Sequence, residues 1–184
     1  ASHPVCPAPS AARAAGAGQR GQDAFGSWTG SAAAGGVTTS VDMPYDENCL
    51  SATSQRCRTK VSEAGAQARV DFALYGTIDP DEGAARVDEL VDAGAAAFKF
   101  STFGTHPKRF PRIPPHILYT CFRAVGQRGL IAGIHNENDE MVRAFMAEVE
   151  ASGITDYTAH GLSRPPLPEA LATAAPAWRR PGRG

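Results

Sequence analysis

The sequence predicts an α/β fold built from parallel β/α units, and three observations carry that reading. Strand-like and helix-like patterns alternate four times between Gly35 and Gly153. The strand candidates are apolar on both faces, as strands covered by helices must be. They run into polar residues at their C-terminal ends, where folds of this class hold ligands. Right-handed crossovers then leave two architectures, an open doubly wound sheet or a (β/α) barrel.

Taken in order, residues 1–30 are rich in Pro, Ala, Gly and Ser with little apolar periodicity, and are expected to be irregular. The folded domain is expected over residues 31–176, followed by a basic irregular tail at 177–184. GGVTTSVDMP (35–44) is a β-branched run closed by Asp42 and a proline, the first strand. Residues 55–67 are polar and helix-compatible, and ARVDFALYGT (68–77) is the second strand. In DPDEGAARVDELVDAG (79–94) an Asp cap and Pro80 predict a helix start. Val87, Leu90 and Val91 share a face, and Gly94 is the stop.

AAAFKFST (95–102) is the third strand. A loop rich in Pro and basic residues (103–113) leads into a helix within PPHILYTCFRAVGQRG, where Leu118, Cys121, Phe122 and Val125 form one stripe. GLIAGIHNEN (129–138) is the fourth strand, apolar until it meets His135. NDEMVRAFMAEVEASG (138–153) is a helix expected to turn Val142, Phe145, Met146 and Val149 inward and to close at Gly153.

Composition narrows the function classes. With 184 residues, 42% apolar and 20% charged, the chain is globular and excludes collagen and simple disorder. No run reaches the ~20 apolar residues of a membrane helix, so no membrane partner is expected. A net charge of −1 argues against nucleic acid or another polyanion. The length suits one domain that buries roughly two thirds of its unfolded surface. Cys6, Cys49, Cys57 and Cys121 make no CxxC pair and read as free thiols of a reducing compartment. ASHPVCPAPS has no apolar signal core, so a cytoplasmic location is expected.

Basic charge comes from 15 Arg against 3 Lys, which makes each lysine worth placing. Lys99 lies between Phe98 and Phe100 in a strand expected to be covered on both faces. Burying an unpaired ammonium costs several kcal/mol. Lys99 is therefore either an edge lysine whose amine reaches water or a deprotonated or modified group at a site. His135, at a strand end, is either a hydrogen-bonded core residue or a ligand or acid/base. Asp42, Tyr75 and Thr77, and the His135-Asn136-Glu137 run mark the other strand ends. Glu137 and Asp139 read equally as carboxylates supporting His135 or as acidic caps of the following helix.

Other matches are decoys. Gly16–Gly21 fits GxGxxG, but SAARAA precedes it where a dinucleotide fold needs an apolar strand. His3 is terminal, and His106 and His116 lie in or beside the Pro-rich loop, where they are expected to be solvated.

Five blocks in order resemble the cyclic amidohydrolases, the allantoinases, dihydropyrimidinases (hydantoinases) and dihydroorotases. They are QDAFGSWTGSAAAGGVTTSVDMP (22–44), VDFALYGT (70–77), ELVDAGAAAFKF (89–100), IHNENDEMV (134–142) and AHGLSRPPLPEALATA (159–174). The resemblance implies a TIM-type (β/α) barrel, with roughly its second to fifth strands present. It also implies metal-dependent hydrolysis of a small cyclic amide or ureide. Lys99 falls on the family lysine that reacts with carbon dioxide to form a carbamate bridging two metal ions, usually zinc. His135 falls on a metal-ligand histidine. Asp42, Asn136, His160, Ser163 and Arg164 fall on neighbouring positions, as substrate or supporting residues.

Departures from the family pattern are equally specific. The HxH pair expected before Gln22 is replaced by SAARAAGAGQRG (10–21), which has no histidine. A further metal histidine and a catalytic aspartate, expected on later strands, have no counterpart. A complete barrel takes ~250 residues. The Ala/Arg/Gly/Pro-rich segments at 10–21 and 175–184 therefore read as the ends of a truncated or frame-disturbed amidohydrolase. The alternative is a non-catalytic amidohydrolase-like protein acting in assembly. A half-barrel with an open sheet edge is also expected to form homo-oligomers.

Overall fold

The computed structural model describes residues 6–7, 24–45, 53–107 and 109–174. Their strands are β1 (Cys6–Pro7), β2 (Thr39–Asp42), β3 (Asp71–Gly76), β4 (Ala95–Ser101) and β5 (Ile131–His135). The helices are α1 (Ala24–Ala34), α2 (Ser54–Gln67), α3 (Arg86–Asp92), α4 (Pro115–Gln127), α5 (Asp139–Ala151), α6 (Thr158–Ser163) and α7 (Pro166–Ala174). All strand pairs are parallel, and the strands lie side by side in chain order from β1 to β5. A doubly wound sheet reverses its order at a switch point, whereas this sheet advances one strand at a time, as a barrel does. The result is an open segment of barrel wall with helices on one face.

Apolar burial fixes that face. Phe98 and Phe100 of β4 are fully buried and pack with Val87 and Leu90 of α3 and with Leu118, Cys121 and Val125 of α4. Two fully buried phenylalanines contribute ~1.5–3 kcal/mol each relative to exposure. Proline at the first turn of α4 costs no helix bond, because that N–H has no partner in any case. Asn138 caps α5 by accepting from the Met141 N–H at 3.0 Å. Among the described residues, no helix is long and apolar enough to cross a membrane.

A bulge sets the phase of β4. Leu74 pairs with Ala95, but the next residue, Tyr75, pairs with Ala97, so Ala96 is extra. Ala95 and Leu74 therefore face the helices, Ala97 and Tyr75 face the other way, and Gly76 and Phe98 return to the helix side. Gly76 is glycine because a Cβ there would lie 3.0 Å from the Phe98 ring.

Several sequence expectations are corrected. The segment 1–30 is not wholly irregular: Cys6–Pro7 pairs with β2, and α1 starts at Ala24. Gly26, Gly30 and three hydroxyl residues dilute the apolar signal of α1. Tertiary contacts hold it instead, with Phe25 buried near Phe72 and its N–H donating to Gln67 Oε1. Thr29 Oγ1 donates to the Phe25 carbonyl and accepts from the Arg69 N–H. Asp79–Pro80 opens a turn rather than the helix, because Gly83 adopts φ +61 and a short 3-10 turn precedes α3. On α5, Val142 is buried, but Met146 is exposed. The tail at 177–184, the GxGxxG match, His3 and Cys49 lie outside the described residues.

The most buried lysine among the described residues is Lys60 of α2, which sequence reasoning passed over. Its Nζ lies 2.7 Å from Asp42 Oδ2, with both side chains 2% exposed, and donates to the Met43 carbonyl at 3.1 Å. The signal was present: Ser54, Cys57, Lys60 and Ala64 recur at helical spacing on the buried face of α2. Removing one partner of a buried pair leaves an uncompensated charge. Lys60→Met is therefore expected to cost ~3–5 kcal/mol in urea unfolding followed by circular dichroism, with Lys60→Met/Asp42→Leu recovering most of it. A loss below about 1 kcal/mol would show that the pair is not sealed from water.

Candidate functional site

Alternation along β4 turns Lys99 away from the helices, because Phe98 and Phe100 occupy the helix face. Its register partner on β5 is Gly133, so the two residues share a face. An added Cβ at Gly133 would lie 3.3 Å from Lys99 Cδ and 3.9 Å from Nζ, so the missing side chain leaves the lysine its room. Lys99 is half-buried, and burial alone lowers its pKa below the ordinary lysine value. That enriches the neutral amine, the nucleophilic form. Unlike Lys60, Lys99 sits where a ligand could reach it.

His135 closes β5 two residues beyond Gly133, in register with Ser101. Its Nε2 lies 2.7 Å from Glu137 Oε2, and the imidazole is 47% exposed. Asn136 Nδ2 donates to Thr173 Oγ1 of α7 at 3.1 Å. The Thr102 backbone N–H donates to the His135 carbonyl at 2.9 Å, and its hydroxyl accepts from the Glu137 N–H at 2.9 Å. Arg164, after α6, places its Nε 3.6 Å from Glu137 Oε1. Thus His135, Asn136, Ser163 and Arg164 gather around the ends of β4 and β5.

Two expected members do not. Asp42 shares a face with Leu74, on the helix side, and is committed to Lys60. His160 is exposed, and its carbonyl accepts from Ser163 Oγ at 3.0 Å.

Asp139 is also excluded as a partner of His135. It accepts from the Gly104 N–H at 2.8 Å and from Arg143 Nε at 2.8 Å. Burial opposes its ionisation, but the bonds from Arg143 and Gly104 and the charges of Arg143 and Arg112 outweigh it, leaving the pKa below the ordinary carboxylate value. Cys57 and Cys121 are free, buried thiols. Burial pushes Cys121 up to about 11, so it is no nucleophile near neutral pH.

Among the described residues, no three His, Cys, Asp or Glu side chains converge on a metal-sized site. Lys99 and His135 are the donors at hand, and two donors alone do not fit a two-ion centre.

The depressed Lys99 pKa has a signed consequence. The unfolded chain holds more protons on this group than the folded one, so Lys99 costs stability below its folded pKa, and the cost fades as pH rises toward 10.5. Lys99→Met is expected to raise the urea midpoint at neutral pH, with the gain shrinking in alkali; a pH-independent gain refutes the assignment. Gly133→Val is expected to slow acetylation of Lys99 about several-fold by mass spectrometry. An unchanged rate would show that the lysine does not pass over Gly133.

No family model matches the chain. The L-hydantoinase of Paenarthrobacter aurescens is 31% identical over 139 residues, which are 76% of this chain and 30% of that protein. The allantoinase of Rubrobacter xylanophilus is 31% identical over 147 residues, 80% of this chain and 32% of that protein. Among solved structures, the L-hydantoinase (dihydropyrimidinase) from Arthrobacter aurescens superposes with a TM-score of 0.76 at 30% identity. That match covers 82% of this chain and 33% of that one. The chain thus spans about a third of the length of the curated relatives it matches. Over that third, with a barrel wall of the same architecture, it is a partial member of the cyclic amidohydrolase family of hydantoinases and allantoinases.

Proposed function

We propose that this chain supplies the lysine strand and one histidine strand of an enzyme that opens small cyclic amides or ureides with water. The carrying observation is Lys99. It is a half-buried lysine with a lowered pKa, held opposite Gly133 on the helix-free face of a barrel wall. The neutral amine of such a lysine adds to the carbon of carbon dioxide, one N–C bond forms and one proton leaves. As one C–O π bond breaks, the uncharged amine becomes an anionic carbamate with two ligand oxygens.

His135 offers the second donor, with Nδ1 as the ring nitrogen left available once Nε2 is engaged by Glu137. Bound divalent ions, zinc by family resemblance, would polarise the ring carbonyl and lower the pKa of water. Their remaining ligands would lie beyond the described residues. That same shortage of donors favours a second reading, a non-catalytic amidohydrolase-like protein that acts in assembly.

Incubating the purified chain with zinc and carbon-13-labelled bicarbonate separates the readings. A carbamate carbon signal is expected in NMR spectra and should vanish in Lys99→Ala. Any ring opening of hydantoin, allantoin or dihydrouracil should vanish with it. Hydrolysis that persists unchanged in Lys99→Ala overturns the lysine's role. A chain that retains no zinc, forms no carbamate and opens no ring supports the assembly reading.

A further inference from the structure

We propose that Glu137, held in turn by Arg164 and Thr102, is the positioning residue of His135. The imidazole is 47% exposed at a strand end, so packing alone does not fix its ring. Glu137 is only 14% exposed, and its Oε2 lies 2.7 Å from His135 Nε2. An ionised carboxylate accepts and cannot donate, so Nε2 carries the proton and Nδ1 keeps its lone pair in the neutral ring.

The carboxylate is itself braced. Its other oxygen, Oε1, forms an ion pair with Arg164 Nε at 3.6 Å. Arg164 is placed by a bond from Nη1 to Ser163 Oγ at 3.2 Å and by the Phe103 ring, whose centroid lies 5.3 Å from its guanidinium carbon. From the other side, the Glu137 N–H donates to Thr102 Oγ1, and the Thr102 N–H donates to the His135 carbonyl. His135 at the end of β5 and Arg164 after α6 therefore meet at the Glu137 carboxylate, while Thr102 after β4 holds the Glu137 backbone. Helix capping does not explain Glu137, because Asn138 is the residue that caps α5. The Ser163-Arg164 pair thereby acquires a task, holding the group that holds His135.

The proposal rests on the reading of His135 as this chain's histidine donor, but its test needs no activity. In the nitrogen-15-labelled full chain, a hydrogen-bonded Nε2–H gives a downfield imidazole proton, assigned by its loss in His135→Gln. The expected pattern is a proton on Nε2 in the wild type and loss of the resonance in Glu137→Ala. In Glu137→Gln, whose amide oxygen still accepts, the resonance should survive with a smaller downfield shift.

In Arg164→Met the resonance should broaden through exchange. Backbone amides of Leu74 and Phe98 report whether each variant is folded; if Glu137→Ala is not, the shift in Glu137→Gln decides. A resonance that persists in Glu137→Ala, or a proton on Nδ1 in the wild type, overturns the proposal. An unaltered line in Arg164→Met removes the arginine from it. The expected resonances without carbamate or hydrolysis would count against the enzymatic reading and leave the brace standing.

Discussion

The alternation Phe98–Lys99–Phe100 is the constraint on which the rest of the molecule depends. Two phenylalanines, fully buried against α3 and α4, decide which side of the sheet is covered. A strand has period two, so their burial forces the intervening side chain onto the opposite face. A one-residue slip would drive an ammonium into the apolar layer and expose two rings, an exchange that costs several kcal/mol in each direction. The position of the lysine is therefore a by-product of core packing, with no polar partner required to place it.

The two described lysines are treated in opposite ways. Lys60 is taken wholly out of water and neutralised by Asp42, which ties the end of β2 to α2. A buried pair of this kind is costly to break and adds little over an apolar replacement, so it serves placement more than stability. The Lys99 amine has no hydrogen bond or ion pair among the described residues, and the side chain is only half covered. Its environment lowers the proton affinity of the amine without supplying an anion. Of these two, Lys60 is spent on architecture, whereas the Lys99 amine is left half-covered on the face away from the helices.

Much of this was legible in the sequence. The strands were readable because each is a short apolar run bounded by turn residues, and Lys99 stood out as a charge between two aromatics. Residue patterns alone left the choice between barrel and doubly wound sheet, because strand order is a property of pairing and not of periodicity. Helix α1 was hidden by its glycines and hydroxyl residues, since it is held by the Phe25–Phe72 contact and by Gln67. The commitment of Asp42 could not be read locally, because its partner comes from the next helix. Nor could the link from Arg164 to His135, whose members are brought together only when the chain returns after α6.

The bulge in β4 has a consequence for how the gene tolerates change. Ala95, Ala96 and Ala97 contain one residue more than the pleat requires, and the surplus is absorbed before Phe98. Loss of one alanine codon there would only restore a regular ladder, leaving Phe98 toward the helices and Lys99 toward the open face. Loss of one codon between Phe98 and Ser101 has no such reserve and inverts the faces of everything that follows on the strand. The alanine run is thus a buffer against single-codon deletion, set immediately upstream of a stretch of sheet whose facing cannot be allowed to change.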